Sequence, residues 1–573
     1  MLHIFLDGLS VFWVDKVGIF IFLLAVYGFG FFTIRSVTNG GMNAGIESLA
    51  AISVGIVPLC VITYAMILVT SLWHSLLWPA SVAILFLAIF IFVKGFWSRE
   101  VKIPSDARIV LWAVPFFLLL LLRLAFLKDV ILPPYSDSPV HYQIVLGFLH
   151  PDVGTDSRLS LDSLFSNYYH FGFHSLVAWL ATTANLEAGN TISLLGQLFL
   201  VIACVSVVYL NYTMTGDPYG ASFAGLLAAL GWSMPAFAVN WGKFPALGSL
   251  AALPGVAAIL LSWRRGSSSS LVQILWGFTL AAGITLLHTR ALICVLLVGA
   301  CMMIAARLPI DERFGPFQAV RYAVLYIVSL WPLKPYLLDY YGNWPIFVVF
   351  CVLLPFAFRE FPRLALAVFL FTAGSWLIAI VPPLFGEEYR ALFDQQFLEM
   401  MIYIPFSVMG GLGFSGMMKS LPLMRVQWLA AAVLPVIVMF NFFQHRMVYP
   451  DPCCDYFKKH DQLAFQWLQR QVGDHSLVLI SAFDNDGQIL GTDAGIWIDP
   501  LLGLPTNKLR FDTDWTSRLE RENVCNFGAK EVYIYAGGRI FSFNNVQLAQ
   551  EPWVVEVYEA GQTIIYRVSS CEE

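Results

Sequence analysis

A chain of 573 residues with 58% hydrophobic and only 12% charged positions carries about half the ionic content of a soluble globular protein, which averages roughly 25%. That balance excludes an ordinary water-soluble enzyme and makes a bilayer the solvent for most of the length. The formal net charge of -5 is small and spread out, so no nucleic-acid partner is expected.

Aromatic residues make up 15% of the chain, with 18 Trp and 22 Tyr, a content suited to many helix ends at lipid headgroups. The first apolar run is flanked by Asp15 and Lys16 and lacks a small-residue cleavage site, so it is expected to stay in the mature protein. A helix needs about 20 apolar residues to cross the hydrocarbon layer. By that measure candidate spans fall near 17–34, 45–69, 72–94, 108–128, 190–212, 219–240, 246–263, 271–288, 290–307, 317–333, 344–358, 362–382, 399–417 and 425–443. The expectation is a polytopic α-helical membrane protein of about fourteen spans. The apolar run 171–185 is too short to cross and reads as an interfacial or re-entrant helix.

Basic loops set the orientation. Lys94, Arg99, Lys102 and Arg108 place the loop before the fourth span inside. Alternation then puts Arg35, Arg264, Arg265, Arg307, Arg359, Arg363, Lys419 and Arg425 inside as well. On this count the segment 129–189 and the part from 446 to 573 lie outside a plasma membrane. Four segments result: N-terminal spans 1–128, an outer loop 129–189 with interfacial helices, a helical core 190–445 and an outer domain 446–573.

The outer loop holds most of the chemistry. Asp137 and Ser138 precede Pro139, the pattern of a helix cap followed by proline in the first turn. The positive end of such a helix favours an ionised carboxylate, which is what a base acting on a hydroxyl requires. His141 follows one turn later, on the same face and within reach of that carboxylate. His170 and His174 repeat the four-residue spacing, and Asp152 and Asp156 lie between the two pairs. The bland readings are a plain helix cap for Asp137 and interfacial histidines bonded to backbone for the others. A divalent metal on Asp137 and His141, with His170, His174 or Asp152 adding ligands, is a further reading.

From about residue 451 the hydropathy falls. Residues 457–472 have a helical apolar period, Leu477–Ser481 and Glu531–Tyr535 read as buried strands, and Trp553–Val568 reads as a hairpin turning at Glu559-Ala560-Gly561-Gln562. A small α/β domain is expected. Asp484-Asn485-Asp486-Gly487 opens like a calcium loop but has no Glu at the twelfth position, so it reads as a turn. Cys453, Cys454, Cys525 and Cys571 all lie in this polar part and allow two disulfides in an oxidising compartment; no CxxC spacing suggests zinc. Cys60, Cys204, Cys294, Cys301 and Cys351 sit in apolar runs as small hydrophobes.

The layout resembles the GT-C glycosyltransferases, which use sugars carried on polyprenyl phosphate. Asp137–His141, Tyr169-His170-Phe171-Gly172-Phe173-His174-Ser175, Asn240-Trp241-Gly242-Lys243-Phe244-Pro245 and Gly491–Ile498 look like a poorly characterised bacterial and archaeal branch. The three N-terminal spans look like an addition. The resemblance implies that Asp137 deprotonates an acceptor hydroxyl and that the lipid phosphate leaves with inversion. A departing phosphate needs cations. Outer-side candidates are Lys243, Arg290 and Arg390, the last beside Glu387 and Glu388, although a lone cation beside a span more often snorkels to anchor its helix. Some relatives carry an Asp-x-Asp or Glu-x-Asp metal motif, whereas 135–138 holds one carboxylate. The rival classes are a transporter or flippase for a lipid-linked glycan and an inactive scaffold of the same fold; no internal repeat supports the transporter. The C-terminal domain then either recognises acceptor or glycan or packs as an inert lid.

Overall fold

The computed structural model describes residues 2–38, 44–97, 108–150, 170–263, 270–381, 392–421, 424–445, 448–473, 475–485, 488–539 and 541–569. The chain divides into two compact units. One is helical and comprises Met1–Lys128, Gly147–Val239 and Lys243–Tyr449; the other gathers Asp129–Leu146, Asn240–Gly242 and Pro450–Glu573.

In the helical unit, nine helices among the described residues are long and apolar enough to cross a bilayer, and Leu271–Leu287 is a shorter apolar one. Fourteen continuous spans are therefore not seen, and the reasons are local. The run 219–240 breaks into a helix over Pro218–Leu226, a π turn over Leu227–Gly231 and a 3-10 turn over Ala236–Val239. The run 317–333 gives only Pro316–Ser329 before the Trp331–Leu333 turn, and Trp344–Glu360 stops at 17 residues. The first helix is longer than its apolar run suggests, Leu2–Thr38.

Each helix buries backbone polarity within itself, as a bilayer demands. Hydroxyls at Thr33, Ser53 and Thr372 donate to the carbonyl four residues back, so these buried polar atoms are paired without a neighbour's help. The helix Ala188–Thr215 starts where Glu187 accepts from the Asn190 amide and ends at Gly216 in the left-handed region. The helix Gly172–Ala184 has the short length expected and packs inside the helical unit, as a re-entrant segment would. Its residues Gly172–Ala181 are all buried, and the Trp179 indole donates to the Ser81 carbonyl at 3.1 Å. A helix lying on a membrane surface would keep one polar face wet.

Close backbone approach holds the N-terminal helices together. A Cβ on Gly30 would stand 1.9 Å from the Ala51 carbonyl oxygen, and one on Gly55 would stand 1.7 Å from that of Val26. Where lipid replaces water, such small-residue contacts carry helix association.

The second unit is a mixed six-stranded sheet: β1 (Ser476–Asn485), β2 (Gln488–Gly491), β3 (Thr506–Arg510), β4 (Glu531–Ala536), β5 (Val554–Ala560) and β6 (Thr563–Val568). The order is β2-β1-β4-β6-β5, with β3 also on β1; β1 runs parallel to β3 and β4, and the remaining pairs are antiparallel. β5 and β6 form the anticipated hairpin, turning at Gly561 with φ 60°. β1 and β2 pair antiparallel around 484–487, of which Asp486 and Gly487 lie outside the described residues. The core is Leu479, Trp515, Ile534, Phe543, Trp553 and Tyr566. The helix Lys459–Gln471 buries Asp461, Ala464, Phe465 and Leu468. Asp461 accepts from the Lys458 amide at 2.8 Å and from the Tyr535 and Thr563 hydroxyls, both at 2.6 Å. Cys453 and Cys454 are joined to each other, and Cys525 is also disulfide-bonded; Cys571 lies outside the described residues. The five cysteines of the helical unit are free thiols, four of them buried.

Replacing Gly55 by Val should force the two N-terminal helices apart, at a cost of about 1–3 kcal/mol or more because the obstacle is backbone. A lowered melting temperature in detergent is the expected result; an unchanged one would refute the close contact.

Candidate functional site

Two groups of candidate residues emerge, one in each unit. In the α/β unit, Pro133-Pro134 lead into Tyr135, a non-glycine residue held at φ 70°. That left-handed conformation is costly for a tyrosine and persists only where its surroundings fix it. Here the Tyr135 amide donates to the Cys454 carbonyl at 2.8 Å, and its ring lies 6.1 Å from that of Tyr456. The chain then turns through Ser136 and Asp137 and enters the helix Ser138–Leu149. Asp137 occupies the capping position anticipated for it: its carbonyl accepts the His141 amide at 3.2 Å, and its side chain is half-buried.

Residues 135–141 and the first half of the 240–245 motif, Asn240–Gly242, meet in this unit. His141 is buried, and its Nε2 lies 3.1 Å from the Gly242 carbonyl. A carbonyl only accepts, so Nε2 is the donor in this bond. Gly242 sits at φ 64°, and a Cβ there would fall 2.8 Å from Ser138 Oγ. Glycine is required on both counts. Asn240 Oδ1 accepts the Asp451 amide at 2.9 Å, and Gln143 reaches Asp499 at 3.3 Å.

Tyr456, whose ring meets that of Tyr135, is a neighbour of this turn that sequence reasoning missed. Burial, then the charge of Asp137, raises the Tyr135 phenol above its ordinary value. The Tyr456 phenol is also pushed up, first by burial and then by Tyr135, Asp493 and Asp137, with the Arg539 cation opposing. Arg539 fixes the neighbouring backbone by donating from Nη2 to the carbonyls of Asp455 at 3.0 Å and Tyr456 at 3.1 Å. Asp493 is fully buried and accepts from Ser481 Oγ at 2.7 Å, the Gly495 and Gly537 amides at 2.9 and 3.1 Å, and Ser542 Oγ at 3.2 Å. These contacts are spread over several hundred residues, and no spacing in the sequence announces them.

In the helical unit, His170 and His288 stand with ring centroids 4.3 Å apart, and His288 stacks on Phe397 at 5.2 Å. His288 is buried, and Arg290 follows it in the first turn of the helix Thr289–Arg307. Arg290 donates to the Leu392 carbonyl at 2.9 Å, pairs with Asp394 at 2.6 Å and lies over the Phe397 ring. His174 is fully buried between Phe171 and Phe173. His170 and Arg290 thus stand beside His288 and Phe397, and His288 is a residue that sequence reasoning noted only as a neighbour of Arg290. Asp152, Asp156, Glu387 and Arg390 lie outside the described residues. Among those described, no three His, Cys, Asp or Glu side chains are grouped to hold a metal ion.

No protein-family model matches the chain, and no curated protein matches it. Among solved structures it is similar to the arabinofuranosyltransferase AftD from Mycobacteria, at 14% identity and a TM-score of 0.39. That alignment covers 81% of this chain and 40% of AftD, so the chain spans well under half the length of that protein.

Asp493 gives the α/β unit a pH dependence. Burial raises its carboxyl from 3.8 to about 6, against the pull of its Ser481, Gly495 and Gly537 hydrogen bonds. The native state therefore holds a proton that the unfolded chain releases near pH 4. This stabilisation is complete below that value and is lost as pH rises through about 6. Thermal melts of the protein should show stability falling between pH 4 and 6, with the slope removed in Asp493→Asn. An identical slope in the variant would assign the effect to another group.

Proposed function

We propose that the protein is a GT-C-type membrane glycosyltransferase that moves a sugar from a polyprenyl-phosphate donor to an acceptor hydroxyl on the extracytoplasmic side. The observation that carries this reading is Asp137, half-buried at a helix start and positioned by a strained turn that the α/β unit fixes through Tyr135. A helix start favours the ionised carboxylate, and partial exposure leaves it open to a substrate hydroxyl.

In the proposed reaction the Asp137 carboxylate takes the acceptor proton. The freed oxygen forms a bond to the anomeric carbon from the face opposite the leaving group. The bond from that carbon to the phosphate oxygen breaks, its electron pair leaves with polyprenyl phosphate, and configuration inverts. His141, with Nε2 given to Gly242, orients the start of the helix that carries Asp137. Lys243, Arg290 and His170 are assigned to the phosphate, with Arg290 held in place by Asp394. His174 is assigned to substrate by its four-residue spacing from His170. Glu387 and Arg390 are assigned to substrate on the sequence alone. If a divalent metal takes part, Asp137, His141 and Asp152 are its candidate ligands. The basic loops support a plasma-membrane protein with residues 129–189 and 446–573 on the outer side.

With polyprenyl-phosphate sugars as donors, Asp137→Asn should lower turnover by about 10²–10⁴-fold, the range for loss of a general base, with donor KM little changed. Full turnover in that variant would remove the base assignment. Orientation is tested separately at Val140, which is 51% exposed on the same helix. A Val140→Cys protein in intact cells should react with a membrane-impermeant maleimide; labelling only after permeabilisation would place the segment inside.

A further inference from the structure

The α/β unit holds a cavity of about 230 Å³ that the proposed chemistry does not use. Three glutamines line it, Gln462, Gln466 and Gln469, together with Phe457, Phe465 and Leu132. The glutamines stand at one-turn intervals on the exposed flank of the helix Lys459–Gln471, beside the edge where Phe465 turns into the core. Phe457 and Phe465 pack edge to face at 5.0 Å and give the cavity a rigid apolar floor.

The chemistry of this lining selects its occupant. None of the described side chains lining the cavity ionises, so neither an anion nor a cation is compensated there. Each glutamine offers a carbonyl acceptor and an amide donor, matching hydroxyls that both give and take protons. Aromatic and aliphatic faces beside them suit C–H surface. A ligand that is neutral, dense in hydroxyls and apolar on one face is a sugar ring. The volume is below the roughly 300–1,000 Å³ of drug-sized sites, so it suits a single ring better than a lipid chain.

The cavity is also tied to the Asp137 turn. Leu132 lies on the segment that runs into Tyr135 and Asp137, and Phe457 follows Tyr456, whose ring meets that of Tyr135. Asp137 comes five positions after Leu132, which limits their separation to about 18 Å of extended chain. An acceptor of a few sugar units spans that distance.

We propose that this cavity is a subsite for a neutral sugar residue of the acceptor glycan, remote from the hydroxyl that reacts and read by the amides of Gln462, Gln466 and Gln469. The acceptor role rests on the transferase reading above; the binding itself does not. The test is binding of the full-length protein in nanodiscs to a broad array of neutral oligosaccharides, followed by titration of the best of them. Gln466→Leu and Gln469→Leu, both at exposed positions, should weaken binding at least tenfold with unchanged melting temperatures. Failure of every neutral glycan to bind, or equal binding by the glutamine variants, overturns the subsite. Glutamine-dependent binding in a protein that transfers no sugar would leave the subsite standing and remove the transferase reading.

Discussion

One backbone hydrogen bond, from the Tyr135 amide to the Cys454 carbonyl, ties the start of the Ser138–Leu149 helix to a domain more than three hundred residues later. Two prolines precede Tyr135 and offer no amide of their own, so this is the first donor available as the chain leaves Pro133-Pro134. Once it is made, the left-handed turn at Tyr135, the position of Asp137 and the first turn of the helix follow in order. The Asn240 side chain secures a second crossing by accepting the Asp451 amide, which brings Gly242 against Ser138 and His141. The α/β unit is therefore not a simple C-terminal appendage. It incorporates two short pieces of the chain that lie between helical segments.

What could be read in the sequence follows the range of each interaction. Long apolar runs such as 188–215 and 395–420 are dictated by the solvent, and hydropathy finds them without knowing their neighbours. The strands at 476–485 and 531–536, the helix at 459–471 and the hairpin at 554–568 are likewise local patterns. Hydropathy does not detect where a helix stops inside the apolar layer. In the stretch 227–239, Trp232-Ser233-Met234-Pro235 ends regular bonding although the residues remain apolar. The burial of Gly172–Ala184 was hidden for the opposite reason: phenylalanine, histidine and tryptophan near a membrane look interfacial until their neighbours are known.

The site was legible in its pieces and not in its assembly. Asp137 as a cap before proline, and the 240–245 motif, stand out by residue type, and the meeting of His141 with Gly242 joins the two. Tyr456 and Arg539 gave no signal, because each matters through contacts with residues distant in sequence. His288 was likewise only a neighbour of Arg290 until its ring was seen between His170 and Phe397.

The carboxylates of the α/β unit show how the same group is put to different ends. Asp461 and Asp493 are fully buried and accept hydrogen bonds from three and four donors respectively, as a charge removed from water requires. Such groups fix architecture: Asp461 joins a helix start to β4 and β6, and Asp493 joins β1 to the end of β4. A base must instead meet a substrate hydroxyl, which a sealed and fully bonded carboxylate cannot do. Asp137 is only half-buried, and the Tyr135 turn fixes where it stands. The turn that places it rests on the Tyr135 contact to Cys454 and on the close fit of Gly242, and its side chain stays partly exposed. That separation of positioning from solvation is the physical argument behind proposing Asp137, rather than either buried acid, for the proton transfer.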